Sequence, residues 1–223
     1  DPLLDVEAAK ELYEKLRKDV WLEMNEELTA LEQVRILNHI FFSSEQYKNT
    51  RSGHPNSEDA LIAEVMKLKQ GNPLGLGTLY LAIARDLDLP IHGVNLPNHF
   101  ILCYCDKNHV HDGSRPSDDH SIPGGILFYI NPFSEGTVIH PSDVSEFLSH
   151  LDLPVDERHC GPCAPLDIIR RLIGNVAYAF ERNGHITQAE NMRNLMMFVE
   201  TGATENLEEP SADSDAESSD GLV

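Results

Sequence analysis

Cysteine and basic residues are scarce in this chain, and long apolar runs are missing. The 223 residues include 4 Cys, and 17 Lys and Arg stand against 37 Asp and Glu, which gives a formal charge of −20. Four cysteines are too few for a disulfide framework in a chain of this length. Nucleic acids and anionic membranes require a basic protein surface, so we expect neither as a partner. No apolar run approaches the roughly 20 residues that a membrane-spanning helix needs.

Cofactor and secretion motifs are missing as well. The glycine-rich segment 71–77 lacks the Lys-Ser/Thr ending and the preceding strand of a phosphate-binding loop, so we expect no cofactor. No basic, then apolar, then small-residue start marks a signal peptide, which favours a cytoplasmic protein. Apolar material is plentiful: 41% of the residues are hydrophobic, enough for a core that needs no disulfide or metal support.

Apolar residues at helical spacing predict helices in the first ninety residues. Residues 28–41 carry an apolar stripe, and Thr29 with Glu32 three residues later has the pattern of a capping box. Pro73 suits the first turn of a helix, because the N–H that it lacks would have no partner there. The helix from Pro73 to about Leu87 is apolar nearly all round, so we expect it to be the buried central helix.

Short segments rich in β-forming residues follow this helix. They are bounded by Pro, Asn and Gly and lie at 91–95, 100–105, 126–130 and 137–140. Another helix is expected from Ser142 to about Leu151. Helices followed by strands, without regular alternation, predict an α+β fold with a small antiparallel sheet.

Residues 165–200 predict two further helices with a break at Gly184. The Gly-Asn-x-Ala-Tyr spacing at 174–178 resembles a single tetratricopeptide repeat. One such repeat cannot bury its own apolar face, so we expect this helical hairpin to dock on the rest of the chain. The predicted organisation is a core with N-terminal helices at 1–152, a linker at 153–163, the hairpin at 164–203 and an acidic tail at 204–223. The tail has seven acidic and no basic residues, a composition typical of disorder.

One continuous stretch carries a resemblance to a known family. Residues 70–102 read QGNPLGLGTLYLAIARDLDLPIHGVNLPNHFIL, and shorter matches lie at 37–42 (LNHIFF) and 129–136 (YINPFSEG). In this order, over about residues 25–200, they resemble the bacterial SirB-type branch of the transglutaminase-like family. The resemblance implies a cysteine-proteinase-type core and members that end in tetratricopeptide-like helices.

The resemblance also implies where a catalytic site would lie. Enzymes of this superfamily use a Cys at the start of the central helix, a His that activates it and an Asp or Asn that orients the His. The Cys position falls on Pro73, which has no nucleophilic atom. The His position falls on His99, and the orienting position falls on Asn131, where the family more often has Asp. The resemblance therefore implies a remnant of the triad without catalysis, with Asn72 and Asn98 beside it as ligand-binding candidates.

Two other cysteines are rival candidates for the missing nucleophile. Cys103 and Cys105 follow His99 at offsets of four and six, which places all three on one face if the strand is regular. Neither cysteine is expected at a helix N-terminus, which is where a thiol would become reactive. They could approach His99 laterally, but we do not expect either of them to be the nucleophile.

The segment 109–120 gathers three His and three Asp. His109, His111 and His120 are possible zinc ligands, although a segment so rich in turn formers is expected to be a solvated loop. Asp112 is a further binding candidate, and it is the alternative partner for His99 if Asn131 is not.

Cys160-Gly-Pro-Cys163 has the spacing of a thioredoxin-type redox site. That chemistry requires the first Cys to lie at a helix N-terminus after a strand, whereas this pair lies within the predicted linker, before the next helix near Pro165. We expect an incidental pair of thiols, with a reversible disulfide or a Cys-His metal contact as the alternatives.

Three hypotheses on function follow from these observations. The leading one is a non-catalytic transglutaminase-like module for binding, scaffolding or regulation, with a protein or peptide as its partner. The second is an amide hydrolase or acyl transferase that uses His99 with a cysteine or a metal-bound water. The third is a redox-sensitive regulator that acts through Cys160 and Cys163. The sequence does not specify an oligomeric state.

Overall fold

The computed structural model describes residues 5–50, 59–106 and 125–201, and within them it confirms the α+β class. The helices are α1 (Val6–Glu23), α2 (Ala30–Asn38), α3 (Ile62–Leu68), α4 (Pro73–Asp86), α5 (Pro141–His150), α6 (Glu157–Cys160), α7 (Pro165–Arg182) and α8 (Ile186–Thr201). The strands are β1 (Lys48–Asn49), β2 (Gln70–Gly71), β3 (Ile91–Val94), β4 (Ile101–Cys105), β5 (Ile126–Asn131) and β6 (Thr137–Ile139). None of the helices in these ranges combines the length and the hydropathy of a bilayer-spanning segment.

Helix α2 begins at the predicted capping box. The Glu32 N–H donates to Thr29 Oγ1 at 3.4 Å, and the Thr29 N–H donates to Glu32 Oε2 at 2.8 Å. The helix continues into a π-helical turn at His39–Ser44. Its apolar stripe is buried, with Val34, Leu37 and Phe41 fully inaccessible to solvent. Local capping and hydrophobic spacing therefore determine this part of the fold.

Helix α4 is the central helix, as the sequence predicts. Pro73 is its first residue, and the Oδ1 atom of Asn72 caps it by accepting the Gly75 N–H at 2.8 Å. Buried side chains on several of its sides share one apolar cluster with residues of α1, α2, α3 and the sheet. The close approach of the Phe100 ring requires a glycine at position 77, where a Cβ would lie 2.7 Å from a ring carbon. The lack of a side chain at Gly77 thus allows the start of β4 to pack closely against the first half of α4.

The four strands β3 to β6 form an antiparallel sheet in chain order. Their bounds agree with the predicted segments to within one residue at each end. One face of the sheet, with Leu102, Tyr104 and Ile130, packs in the cluster around α4. The other face, with Cys103, Cys105 and Tyr129, packs in a second cluster with α5.

The predicted linker at 153–163 packs against this second face. It contains the short helix α6, and the Cys160 side chain is fully buried. The Tyr129 hydroxyl donates to the Cys160 carbonyl at 2.9 Å, and the Cys163 N–H donates to the Gly93 carbonyl at 2.8 Å. The sequence does not indicate this burial, because the segment is rich in polar and turn-forming residues. Its partners, Tyr129 and Gly93, lie on strands that are distant from it in sequence.

The predicted hairpin is present as α7 and α8, joined by residues 183–185. Ile168 and Leu172 of α7 pack on the cluster around α4, so the hairpin docks on the core through the first half of α7. Its likeness to a tetratricopeptide repeat and the predicted domain boundaries stay predictions. The acidic tail at 204–223 lies outside the described residues.

A hydrogen-bonded chain ties three distant elements together. The Tyr80 hydroxyl of α4 donates to Asn38 Oδ1 at 3.0 Å, and Asn38 Nδ2 donates to the Gly136 carbonyl at 2.8 Å. Burial raises the pKa of Tyr80, so its hydroxyl keeps its proton and stays a donor. Gly136 has a φ of +73°, and a Cβ there would lie 2.0 Å from Asn38 Oδ1.

Replacing Gly136 with Ala should therefore destabilise the fold by about 2–4 kcal/mol, through the strained φ and the displacement of Asn38. Gly184→Ala is the matched control. Gly184 has a similar φ of +77° but nothing within 4 Å of an added Cβ, so only the backbone cost of about 1 kcal/mol applies. Urea denaturation of both variants measures the difference. Equal losses would show that the Asn38 contact contributes nothing.

Candidate functional site

A cavity of about 560 Å³ opens beside the start of α4. The residues that line it come from the α4 start, the segment before β4, the end of β5 and helix α7: Asn72, Pro73, Leu74, Asn98, His99, Phe100, Ile101, Asn131, Phe133, Arg171 and Asn175. All three positions of the implied triad and both asparagines predicted beside them are among these residues. We call this cavity the cleft.

Pro73 occupies the first helical position at the cleft wall. Its ring nitrogen carries no proton, and its side chain has no nucleophilic atom. The Asn72 side chain caps the Gly75 N–H, and the Asn72 N–H donates to the Asp59 carbonyl at 2.9 Å. The start of the helix is thus arranged for stability, with few free N–H groups left to hold an anion.

His99 is exposed and is held by a main-chain contact. Its Nδ1 lies 2.9 Å from the Pro97 carbonyl oxygen, which favours the neutral tautomer that has its proton on Nδ1 and Nε2 as the acceptor. The ring also packs edge-on against Phe147 of α5, with centroids 5.4 Å apart. The imidazole therefore has a defined tautomer without help from a carboxylate.

Asn131 lines the same cleft but uses its side chain within its own loop. Its Oδ1 accepts the Phe133 N–H at 3.0 Å, and its Nδ2 donates to Ser134 Oγ at 3.4 Å. This is an Asx-type cap on the 3₁₀ turn at Pro132–Ser134. Within the described part of the chain, no hydrogen bond joins Asn131 to His99, so the cleft brings the two residues together without coupling them.

Arg171 and Asn175 are cleft residues that the sequence interpretation missed. Arg171 Nη1 donates to Asn95 Oδ1 at 2.9 Å and to the His99 carbonyl at 3.1 Å. Its guanidinium also lies 5.7 Å from the centroid of the Phe100 ring. Burial lowers the pKa of Arg171. A signal was present, because Arg171 follows the buried Ile168 by three residues and so lies on the buried side of an amphipathic helix.

Cys103 and Cys105 lie away from the cleft. They belong to the apolar cluster beneath α5, are at most 5% exposed and have Sγ atoms 3.8 Å apart. The hydrogen bond to Cys105 and burial raise the pKa of Cys103. His99 itself precedes β4, which begins at Ile101, so the face alternation assumed for a regular strand does not reach it. Neither thiol is positioned to serve as its nucleophile.

Cys160 and Cys163 are free thiols. The Cys160 thiol donates to the Asp156 carbonyl at 3.1 Å. Burial raises the pKa of both thiols, and at Cys163 the Asp167 carboxylate adds to the effect. A raised pKa reduces the thiolate fraction, which is the form that reacts in redox exchange. These environments are opposite to those of an activated Cys-x-x-Cys pair.

The remaining site predictions concern His109, His111, Asp112 and His120. These residues lie outside the described part of the chain, so their proposed zinc binding and the pairing of Asp112 with His99 stay predictions. Among residues 5–50, 59–106 and 125–201, no group of three His, Cys, Asp or Glu side chains has a metal-binding arrangement.

Replacing Pro73 with Cys tests this geometry, because it adds one thiol at the cleft wall. We expect iodoacetamide to alkylate the introduced thiol in the folded protein, since it is accessible and lies at a helix N-terminus. Cys103, Cys105 and Cys160 should react only when the protein unfolds. Peptide mass mapping over time, with and without denaturant, measures all sites at once, and wild-type protein is the control. Alkylation of Cys103 as fast as the introduced thiol would contradict this description of the cleft.

Comparison with known proteins identifies relatives in mammals and in bacteria. F-box only protein 21 of Mus musculus and of Homo sapiens are 30% and 32% identical over 148 residues, which are 66% of this chain but 22% of theirs. UPF0162 protein YchA of Escherichia coli K12 is 28% identical over 140 residues, 61% of this chain and 46% of its own length. A UPF0162 protein of Haemophilus influenzae is 28% identical over 165 residues, 72% of this chain and 59% of its own.

The chain thus spans less than a quarter of the mammalian relatives and about half of the bacterial ones. No solved structure matches it. A sequence model described as transglutaminase-like superfamily matches residues 7–174, which include α4, the whole four-stranded sheet and Arg171. By this match the chain belongs to the transglutaminase-like superfamily.

Proposed function

We propose that this chain is a non-catalytic binding module of the SirB-type branch, and that its cleft receives a peptide segment of a partner protein. The observation that carries the proposal is Pro73, which stands at the nucleophile position inside a cleft that otherwise keeps the expected frame. Acyl transfer requires a thiol or hydroxyl within hydrogen-bond reach of a base. Among the described residues, the side chains that line the cleft include no Cys, Ser, Thr, Lys, Asp or Glu.

The cleft is suited to hold a ligand without reacting with it. Its volume of about 560 Å³ falls in the range of small-ligand pockets. Asn98 and Asn175 provide donors and acceptors for a peptide main chain, since the side chains of Asn72 and Asn131 are engaged in local caps. Leu74, Phe100 and Phe133 provide apolar walls. The Phe133 side chain is 56% exposed, which is a large apolar area to leave in water. Amide side chains beside an apolar ring can bind the main chain and the apolar side chain of one peptide residue at the same time.

The enzyme hypothesis has the lesser support. The four cysteines lie outside the set of cleft-lining residues, and the pKa of three of them is raised. His99 Nε2 remains an acceptor, so a water activated there is the route that an enzyme would use. Such a route would need a carboxylate or a metal to activate the water, and the described residues that line the cleft include no carboxylate.

Catalysis is tested directly with wild-type protein and His99→Ala. We expect no incorporation of a fluorescent amine into dimethylcasein, and no release of amine from fluorogenic peptide amides, above the His99→Ala background. Assays with added zinc and with added thiol cover the metal and cysteine variants of the enzyme hypothesis. Turnover that exceeds the background and is lost on iodoacetamide treatment or in His99→Ala would overturn the proposal.

Binding is tested with pooled acetylated tetrapeptides, supplied both as free acids and as amides. We expect some pools to shift the backbone ¹⁵N–¹H resonances of Asn98, His99 and Asn175 in the full chain. Asn175→Trp should abolish these shifts, because the indole would occupy the cleft. Asn194→Trp is the matched control, since Asn194 is exposed on α8 and does not line the cleft. Shifts that persist in Asn175→Trp, or their absence in every pool, would overturn the proposed role of the cleft.

A further inference from the structure

Arg171 is a half-buried cation whose hydrogen-bond acceptors are both uncharged. Asn95 Oδ1 and the His99 carbonyl accept from the same nitrogen, Nη1, at 2.9 and 3.1 Å. Arg171 is also one of the residues that line the cleft. A guanidinium carries five N–H donors in a planar fork, so much of its donor capacity is left for a ligand.

No carboxylate among the described residues lies within ion-pair distance of Arg171. Asp167, one helical turn earlier, pairs with Arg170 at 3.0 Å instead. Partial burial without a counter-ion is unfavourable for a cation, and the lowered pKa of Arg171 reflects that cost. An anion that enters the cleft would remove this cost and gain charge-assisted hydrogen bonds.

The size and charge of the surroundings restrict which anion fits. The whole chain carries a formal charge of −20, so a strongly acidic ligand would be repelled as it approached. A single carboxylate on an otherwise neutral group avoids most of that repulsion. The apolar walls formed by Leu74 and Phe133 lie in the same cleft, which suits a carboxylate that directly adjoins an apolar side chain.

We infer that the cleft binds the C-terminal carboxylate of a peptide that ends in an apolar residue, with the guanidinium of Arg171 as the carboxylate receptor. This inference rests on the proposed binding function and specifies its ligand. Asn98 and Asn175 are placed to contact the peptide main chain, and Phe133 is placed to cover the terminal side chain. Capture of a chain terminus by a few convergent donors is a recurring mode of peptide recognition.

The test compares the acid and amide libraries of acetylated tetrapeptides with an apolar last residue, by titration into full-length wild type, Arg171→Gln and Arg170→Gln. In the wild type we expect the acids to bind at least about tenfold more tightly than the matched amides. Arg171→Gln should bring that ratio close to one, because it removes the charge that receives the carboxylate. Arg170→Gln, the neighbouring arginine that pairs with Asp167, should leave the ratio unchanged.

Each other outcome has a definite meaning. If neither library binds, the proposed function of the cleft fails. If acids and amides bind equally in the wild type, the cleft binds peptides but the carboxylate inference is wrong. If the preference for acids survives in Arg171→Gln, another group receives the carboxylate and the inference is also wrong. A merely structural role of Arg171 would weaken both libraries together and leave their ratio unchanged.

Two further measurements complete the test. Amides with Asp or Glu inside the peptide provide the same chemistry from a side chain, and binding equal to that of the acids would overturn the assignment to the chain terminus. The Nε–Hε resonance of Arg171 gives an answer without any substitution. It should shift when an acid peptide is added and stay unmoved with the amide, and an acid that binds without shifting it would contradict the inference.

Discussion

Helix α4 is apolar on nearly all sides, and the need to bury it determines where the other elements lie. Helices α1 to α3 cover it on one side, and the sheet covers it on the other. Strands β3 and β4 follow α4 directly in the chain, and they pack back against this helix. The close fit of Phe100 at Gly77 then sets the position of the neighbouring His99 beside the first turn of α4. The cleft is thus a product of core packing, and it does not depend on any group within it being catalytic.

Because the cleft results from core packing, it can be present without a nucleophile at its wall. A cysteine at the start of α4 would add little to packing, whereas proline at that position fixes the backbone angle that the first turn needs. Asn72 and Asn131 likewise use their side chains to cap the structures that they begin. Each of these groups stabilises the fold by satisfying a nearby N–H. Their presence at the cleft therefore requires no catalytic explanation. Arg171 differs because its hydrogen bonds to Asn95 and His99 use a single guanidinium nitrogen, and Phe133 differs because it is exposed.

Much of the fold could be predicted because its signals are local. The Thr29–Glu32 capping box, the start of α4 at Pro73 and the strand bounds all depend on residues close together in sequence. The sequence is less informative where contacts between distant residues decide the structure. Residues 153–163 have the composition of a linker, but their carbonyl and N–H groups bond to Tyr129 and Gly93. Asn131 shows the reverse case. The triad pattern suggests that its side chain bonds to a residue distant in sequence, but its Oδ1 accepts a hydrogen bond from the Phe133 N–H, two residues away.

The acidity of the chain and the positive charge in its cleft act over different distances. At physiological ionic strength, exposed charges more than about 8 Å apart are largely screened from each other. The acidic surface therefore disfavours partners with a large negative charge, but it has little effect on the electrostatic interactions of Arg171. There, partial exclusion of water strengthens each contact that the guanidinium makes. Selectivity is accordingly a local property, set by one arginine whose present acceptors are neutral and by the apolar walls beside it.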